Sequence, residues 1–162
     1  MAGFRCAAFG GTLAVLLATG CGDREEAEGA TPVFLNSGAV LPATLPFSEG
    51  VRLGSLVLMS GQIGVRPGTL ELVPGGMPAE ARQTMENIRA SLEANGLSMA
   101  NVVKCTVMLA DMAEWGAFNE IYGTYFAAPY PARSAFGTSG LALGARVEVE
   151  CIAAVPGSPG AR

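Results

Sequence analysis

Arg133 and Glu148 are the two side chains in this sequence whose types and spacing could do chemistry on a small acid. Arg133 is a fixed cation that follows two helix-stopping prolines, Pro129 and Pro131. Glu148 and Glu150 share one side of the alternating run Arg146-Val147-Glu148-Val149-Glu150, whose other side is Val147, Val149 and Cys151. A guanidinium presents a planar fork that matches a carboxylate bidentately, with charge-assisted hydrogen bonds of roughly 1.5–3 kcal/mol each. A glutamate near it can hold a water or shuttle a proton. A small carboxylic acid with a hydrolysable carbon would suit such a pair. The same residues admit a plainer reading, in which both glutamates solvate the outer face of an antiparallel sheet and Arg133 forms a surface ion pair of little energetic consequence.

The absence of histidine from all 162 residues bounds the chemistry further. It removes Ser-His-Asp and Cys-His catalysis, histidine metal sites and the histidine acid–base pairs that cleave RNA. The four cysteines, Cys6, Cys21, Cys105 and Cys151, form no Cys-x-x-Cys pair, so neither a metal site nor a cofactor is expected. Cys105 and Cys151 fall on the apolar sides of their strands and are expected as buried free thiols, a disulfide between adjacent strands being the alternative in an exported protein. A formal net charge of −4 makes the chain a poor electrostatic partner for nucleic acid.

The elements that must position these residues form one domain. Residues 51–59 read as two short strands around a Gly54-Ser55 turn, and Ser60-Gly61-Gln62 follows at the strand end. Pro67-Gly68-Thr69 and Pro74-Gly75-Gly76 punctuate a surface excursion, and Pro78 opens a helix. Over residues 79–94, Ala81, Met85, Ile88 and Leu92 recur at helical spacing, while Gln83, Glu86 and Arg89 form a solvated face. Residues 102–109 alternate as a central strand with Val103, Cys105, Val107 and Leu109 on the covered side. Asp111 caps a second helix whose aromatic stripe, Trp115, Phe118, Tyr122 and Tyr125, is expected in the core. Strands over 133–138 and 146–155 close an α+β domain, a mixed sheet with both helices on one face. Thr106, Met108, Arg146, Glu148 and Glu150 are left on the other face, which has no second layer of its own.

Ser60-Gly61-Gln62-Ile63-Gly64, Gln83 with Asn87-Ile88, Val102-Val103-Lys104-Cys105-Thr106-Val107, Pro131-Ala132-Arg133-Ser134 and Val147-Glu148-Val149-Glu150 stand in a recognisable order. In that order and at those intervals the chain resembles the RidA (YjgF) family over residues 33–155. The resemblance implies a chorismate-mutase-like fold and a homotrimer whose sheets surround a central barrel, with ligand clefts between subunits. It also implies hydrolysis of reactive 2-imino or enamine acids, such as those derived from serine or threonine, to 2-keto acids and ammonia. Arg133 then holds the substrate carboxylate and Glu148 positions the attacking water, while Phe47, Ser60, Gly61, Asn119 and the backbone amide near Ala135 line the cleft. Two positions depart from the pattern. Many deaminating members have Gly-Pro-Tyr-Ser where this chain has Leu45-Pro46-Phe47-Ser48, and a cysteine where it has Ala135. Phe47 keeps the ring and loses the hydroxyl; Ala135 keeps its backbone amide. The alternative function is a non-catalytic module that binds small carboxylates in the same arginine-lined cleft.

The first 20 residues read as a signal peptide, with Arg5 as the positive start and an apolar run from Ala7 to Ala18 too short to span a bilayer comfortably. Leu17-Ala18-Thr19-Gly20-Cys21 looks like a lipobox, which makes Cys21 the expected site of lipidation and the protein an exported, membrane-anchored lipoprotein of the bacterial cell envelope. Residues 21–32 read as a flexible tether and 156–162 as a disordered tail around the domain at 33–155. Cleavage removes Arg5 alone among the charged residues, so the mature chain is one charge more negative. Cys21→Ser is expected to release the protein from membrane fractions, and unchanged fractionation would contradict the anchor.

Overall fold

The computed structural model describes residues 30–157. The segments expected as signal peptide, lipobox with Cys21, most of the tether and most of the C-terminal tail lie outside the described residues. In chain order the elements are β1 (Val33–Leu35), β2 (Gly50–Leu53), β3 (Leu56–Met59), β4 (Gln62–Ile63), α1 (Gly76–Ala94), β5 (Val102–Leu109), α2 (Trp115–Gly123), β6 (Ala132–Gly137) and β7 (Val147–Ala154). They form one mixed sheet in the order β1-β2-β3-β7-β5-β6, with β4 also on β7. The pair β5–β6 is parallel and every other pair antiparallel. No described helix is long and apolar enough to cross a membrane.

Period-two alternation in the two longest strands decides which face is covered. Cys105, Val107 and Leu109 of β5 and Val147, Val149, Cys151 and Ala153 of β7 are buried under both helices. Helix α1 contributes Met77, Ala81, Met85, Ile88 and Leu92 to the same core, and α2 contributes Phe118, Ile121 and Tyr122. Each large side chain so buried stabilises the fold by roughly 1.5–3 kcal/mol. The α+β arrangement with both helices on one face matches the expectation from sequence. Helix α1 starts earlier than predicted, at Gly76, because Gly75 takes a left-handed backbone (φ 116°) that turns the chain into it. Pro78 then sits in the first turn, where its missing N–H has no helical acceptor to lose.

Several expectations are corrected. Cys105 and Cys151 form a disulfide and are not free thiols. They stand directly opposite each other on one face of the antiparallel β5–β7 pair, which brings the sulfurs within bonding reach. Val103 is 46% exposed and off the covered face, since the β5–β7 register slips by one residue between Val102 and Lys104. In the aromatic stripe Phe118 and Tyr122 are buried, but Trp115 is 43% exposed. Tyr125, past the end of α2, is only partly covered, and its hydroxyl donates to Glu86 Oε1 at 2.9 Å. Burial and that carboxylate push its pKa up to about 12. Arg146, expected on the open face, turns to Glu114 at the start of α2 instead, with N–O distances of 2.8 and 3.1 Å.

Candidate active site

The two strands β3 and β4 run along the same edge of β7 with an irregularity between them. Leu58 pairs with Ile152 and Gln62 with Val149, so residues 59–61 face only residues 150 and 151. The extra residue is a bulge, and it inverts the alternation: Leu58 lies on the open face, whereas Gln62 is buried beneath the helices. Gly61 sits at this bulge, and a Cβ there would overlap Oε1 of Glu148. The missing side chain is what makes room for the Glu148 carboxyl group. Burial raises the pKa of that group above the usual carboxylate value, and the like charge of Glu150 adds to the shift.

Buried polar groups hold this strand end in place. Asn87 Nδ2 donates to the carbonyls of Ile63 (3.0 Å) and Val65 (2.9 Å), and Gln83 Nε2 donates to Asn87 Oδ1 at 2.8 Å. Gln83 is therefore part of an anchor, where the sequence suggested a solvated face. Ser60 Oγ donates to the Ser48 carbonyl at 2.6 Å, fastening the loop that carries Phe47. Buried Glu49 accepts from the Ser37 amide (2.7 Å), the Ser37 hydroxyl (2.6 Å) and the Ser91 hydroxyl of α1. Of the α1 supports, Ser91 is absent from the sequence motifs and Asn87 appears there only within the family-like order. Their signal was available in α1, where Thr84, Asn87 and Ser91 interrupt the apolar stripe at three- and four-residue spacing.

Of the predicted site residues, Phe47, Gly61 and Glu148 line one cleft of about 320 Å³. Ser60 supports it from behind, with its hydroxyl proton committed to Ser48. Arg133, Asn119 and Ala135 form a second group elsewhere. Arg133 Nη2 donates to Asn119 Oδ1 at 2.6 Å, and its guanidinium lies 4.7 Å above the Tyr122 ring. Burial raises the pKa of Tyr122 and the Arg133 cation partly offsets the rise. No carboxylate among the described residues pairs with Arg133. Ala135, two residues on, packs on the same side against the core.

Within one chain the two groups do not meet. Arg133 is in register with Cys105 and Cys151, so it points to the helix side; Glu148 is in register with Met108 and Ile63, on the open side. They are also two strands and three residues apart, roughly 10 Å in each direction. A substrate bound to Arg133 is out of reach of Glu148 of the same chain.

The family model described as Endoribonuclease L-PSP matches residues 38–155. The chain belongs to this family, which includes the RidA proteins. Among its relatives, the 2-iminobutanoate/2-iminopropanoate deaminase of Mus musculus is 46% identical over 113 residues, which is 69% of this chain and 84% of that protein. The Homo sapiens protein of the same name is 42% identical over 108 residues, covering 67% and 79% of the two chains. Among solved structures, RidA from an Antarctic Psychrobacter has a TM-score of 0.71 at 36% identity, covering 76% of this chain and 99% of that one. E. coli TdcF with bound serine has a TM-score of 0.70 at 35% identity, covering 75% and 98%.

Two glycines separate the site from the scaffold experimentally. The three atoms nearest a Cβ at Gly61 all belong to the flexible Glu148 side chain, so Gly61→Ala is expected to hold stability within about 1 kcal/mol while displacing the carboxylate and lowering any activity that uses it. A Cβ at Gly64 lies 2.6 Å from the Cα of Glu80, so Gly64→Ala must shift α1 and is expected to cost about 1–3 kcal/mol. Urea unfolding of both variants checks the difference, and equal losses would contradict it.

Proposed function

We propose that this protein is a 2-imino acid deaminase whose active site forms between copies, with Arg133 of one chain and Glu148 of another. The reading rests on complementarity. One face offers a cation that lacks a carboxylate, and the other offers a proton-transfer group with no described cation paired to it. Because the two halves sit on different faces, the contact between copies is head-to-tail and closes as a ring, a trimer by likeness to the RidA family. The open face supports this, since it leaves Phe34, Leu53, Leu56, Leu58 and Phe136 exposed as apolar surface that a neighbouring copy would cover. The names of the mammalian relatives support the reaction.

In the proposed mechanism Arg133 binds the substrate carboxylate and fixes the imine carbon near Glu148. Water adds to that carbon as its proton passes to Glu148. Glu148 returns that proton to nitrogen, giving a carbinolamine, and then carries the hydroxyl proton to the amine as the C–O bond becomes C=O and the C–N bond breaks, so that ammonia leaves with a 2-keto acid behind it. A carboxyl group with a raised pKa suits both halves of this exchange. The chemistry asks for no metal, because the imine is already electrophilic. The acidic balance and the lack of histidine argue against RNA cleavage despite the family's description. With Cys21 acylated, the reaction would take place in the cell envelope.

The test is ammonia and keto-acid release from 2-aminoacrylate or 2-iminobutanoate generated in situ, followed against pH. Arg133→Ala is expected to lower kcat/KM about 10²-fold or more, and Glu148→Gln by a comparable factor. The ionised carboxylate is the active form, so turnover falls as pH drops through the raised Glu148 pKa. Removing the neighbouring charge with Glu150→Gln lowers that pKa and moves the acid limb to lower pH. Full turnover by Arg133→Ala would sink the assignment. Binding of keto acids without turnover would identify a carboxylate-binding module.

A further inference from the structure

The cleft at Glu148 is almost wholly apolar. Leu41, Leu45, Phe47, Ile63, Leu70 and Leu143 are its large lining side chains, and Glu148 is the one ionisable group among the described residues that line it. Phe47, Leu70 and Leu143 stand 51, 48 and 56% exposed at its mouth. Leu143 also holds a left-handed backbone (φ 57°, ψ 12°), a conformation that costs a branched L-residue free energy and that glycine would adopt freely. A strained backbone that presents an isobutyl group to a cleft points to a role for that group beyond closing a turn.

We propose that this cleft receives the side chain of the substrate and that Leu143 sets its selectivity, favouring 2-imino acids with bulky aliphatic side chains over those with a methyl or ethyl group. The proposal rests on the deaminase reading and deepens it. A carboxylate has no place in an apolar cleft whose single charge is negative, so the substrate's acid end points away, towards the arginine of another copy, and its side chain points inward. A methyl group leaves most of the roughly 320 Å³ to water, whereas an isobutyl group removes apolar wall from water. Phe47 fits this use, as a ring without a hydroxyl adds contact area and no polar demand.

The test compares imines generated in situ from leucine and from alanine, with the full-length protein. The leucine-derived imine is expected to show at least about a tenfold higher kcat/KM. In Leu143→Gly, which relieves the backbone, and in Leu143→Asn, which tolerates it but is polar, that ratio is expected to collapse towards one. Thermal stabilisation by 4-methyl-2-oxopentanoate against pyruvate reads the same preference without chemistry. Equal rates for the two imines in the native protein overturn the inference and leave the deaminase standing. A Leu143-dependent preference between the keto acids with neither imine turned over leaves the cleft standing and removes the deaminase. An unchanged ratio in both variants, or dissociation of the assembly by both, makes Leu143 a loop or interface residue and overturns its role.

Discussion

A strand side chain can face only one side of its sheet, and in this protein that constraint separates the groups that chemistry would bring together. Cys105, Arg133 and Cys151 share a row on the covered side, while Met108, Phe136 and Glu148 share a row on the open side. The covered side is satisfied by two helices and one core. The open side has a glutamate with a raised pKa and a stretch of exposed apolar residues. In the proposed reading a second copy of the chain answers both needs at once, which makes assembly and chemistry a single question.

The local device that serves Glu148 is the bulge between β3 and β4. It turns the edge strand over, buries Gln62, and leaves Gly61 with no side chain where the carboxyl group lies. Such a break in a ladder is costly unless its backbone groups find partners. Asn87 supplies two donors from α1, and Ser60 and Glu49 tie down the loop with Phe47. The positioning of Glu148 is therefore written partly into the buried face of α1, a helix that contributes no residue to the cleft lining.

Much of this was legible in the sequence. Alternation gave β5 and β7, the apolar spacing gave α1, and the prolines before Arg133 marked the start of β6 within a residue or two. The candidate site came as two side chains, Arg133 and Glu148, picked out by type and spacing, and as a fuller set only through the likeness of several short motifs to one family. What the sequence could not show was which residues share a row. That depends on register, and register slips at two bulges placed Val103 outside and turned β4 over. The disulfide is of the same kind: two cysteines 46 residues apart become partners only when β5 and β7 are aligned. Polar residues within an apolar stripe, Thr84, Asn87 and Ser91, were a local signal of buried anchoring, of which only Asn87 entered the reading, as part of a motif.

Mixing two inactive variants tests most directly whether the site is shared between chains. Arg133→Ala and Glu148→Gln are coexpressed, the mixed assemblies are verified by native mass spectrometry, and turnover is compared with each variant alone. A shared site predicts recovery to about a quarter of native turnover, because one contact in four then unites an intact arginine with an intact glutamate. Mixed assemblies no more active than either parent would contradict it.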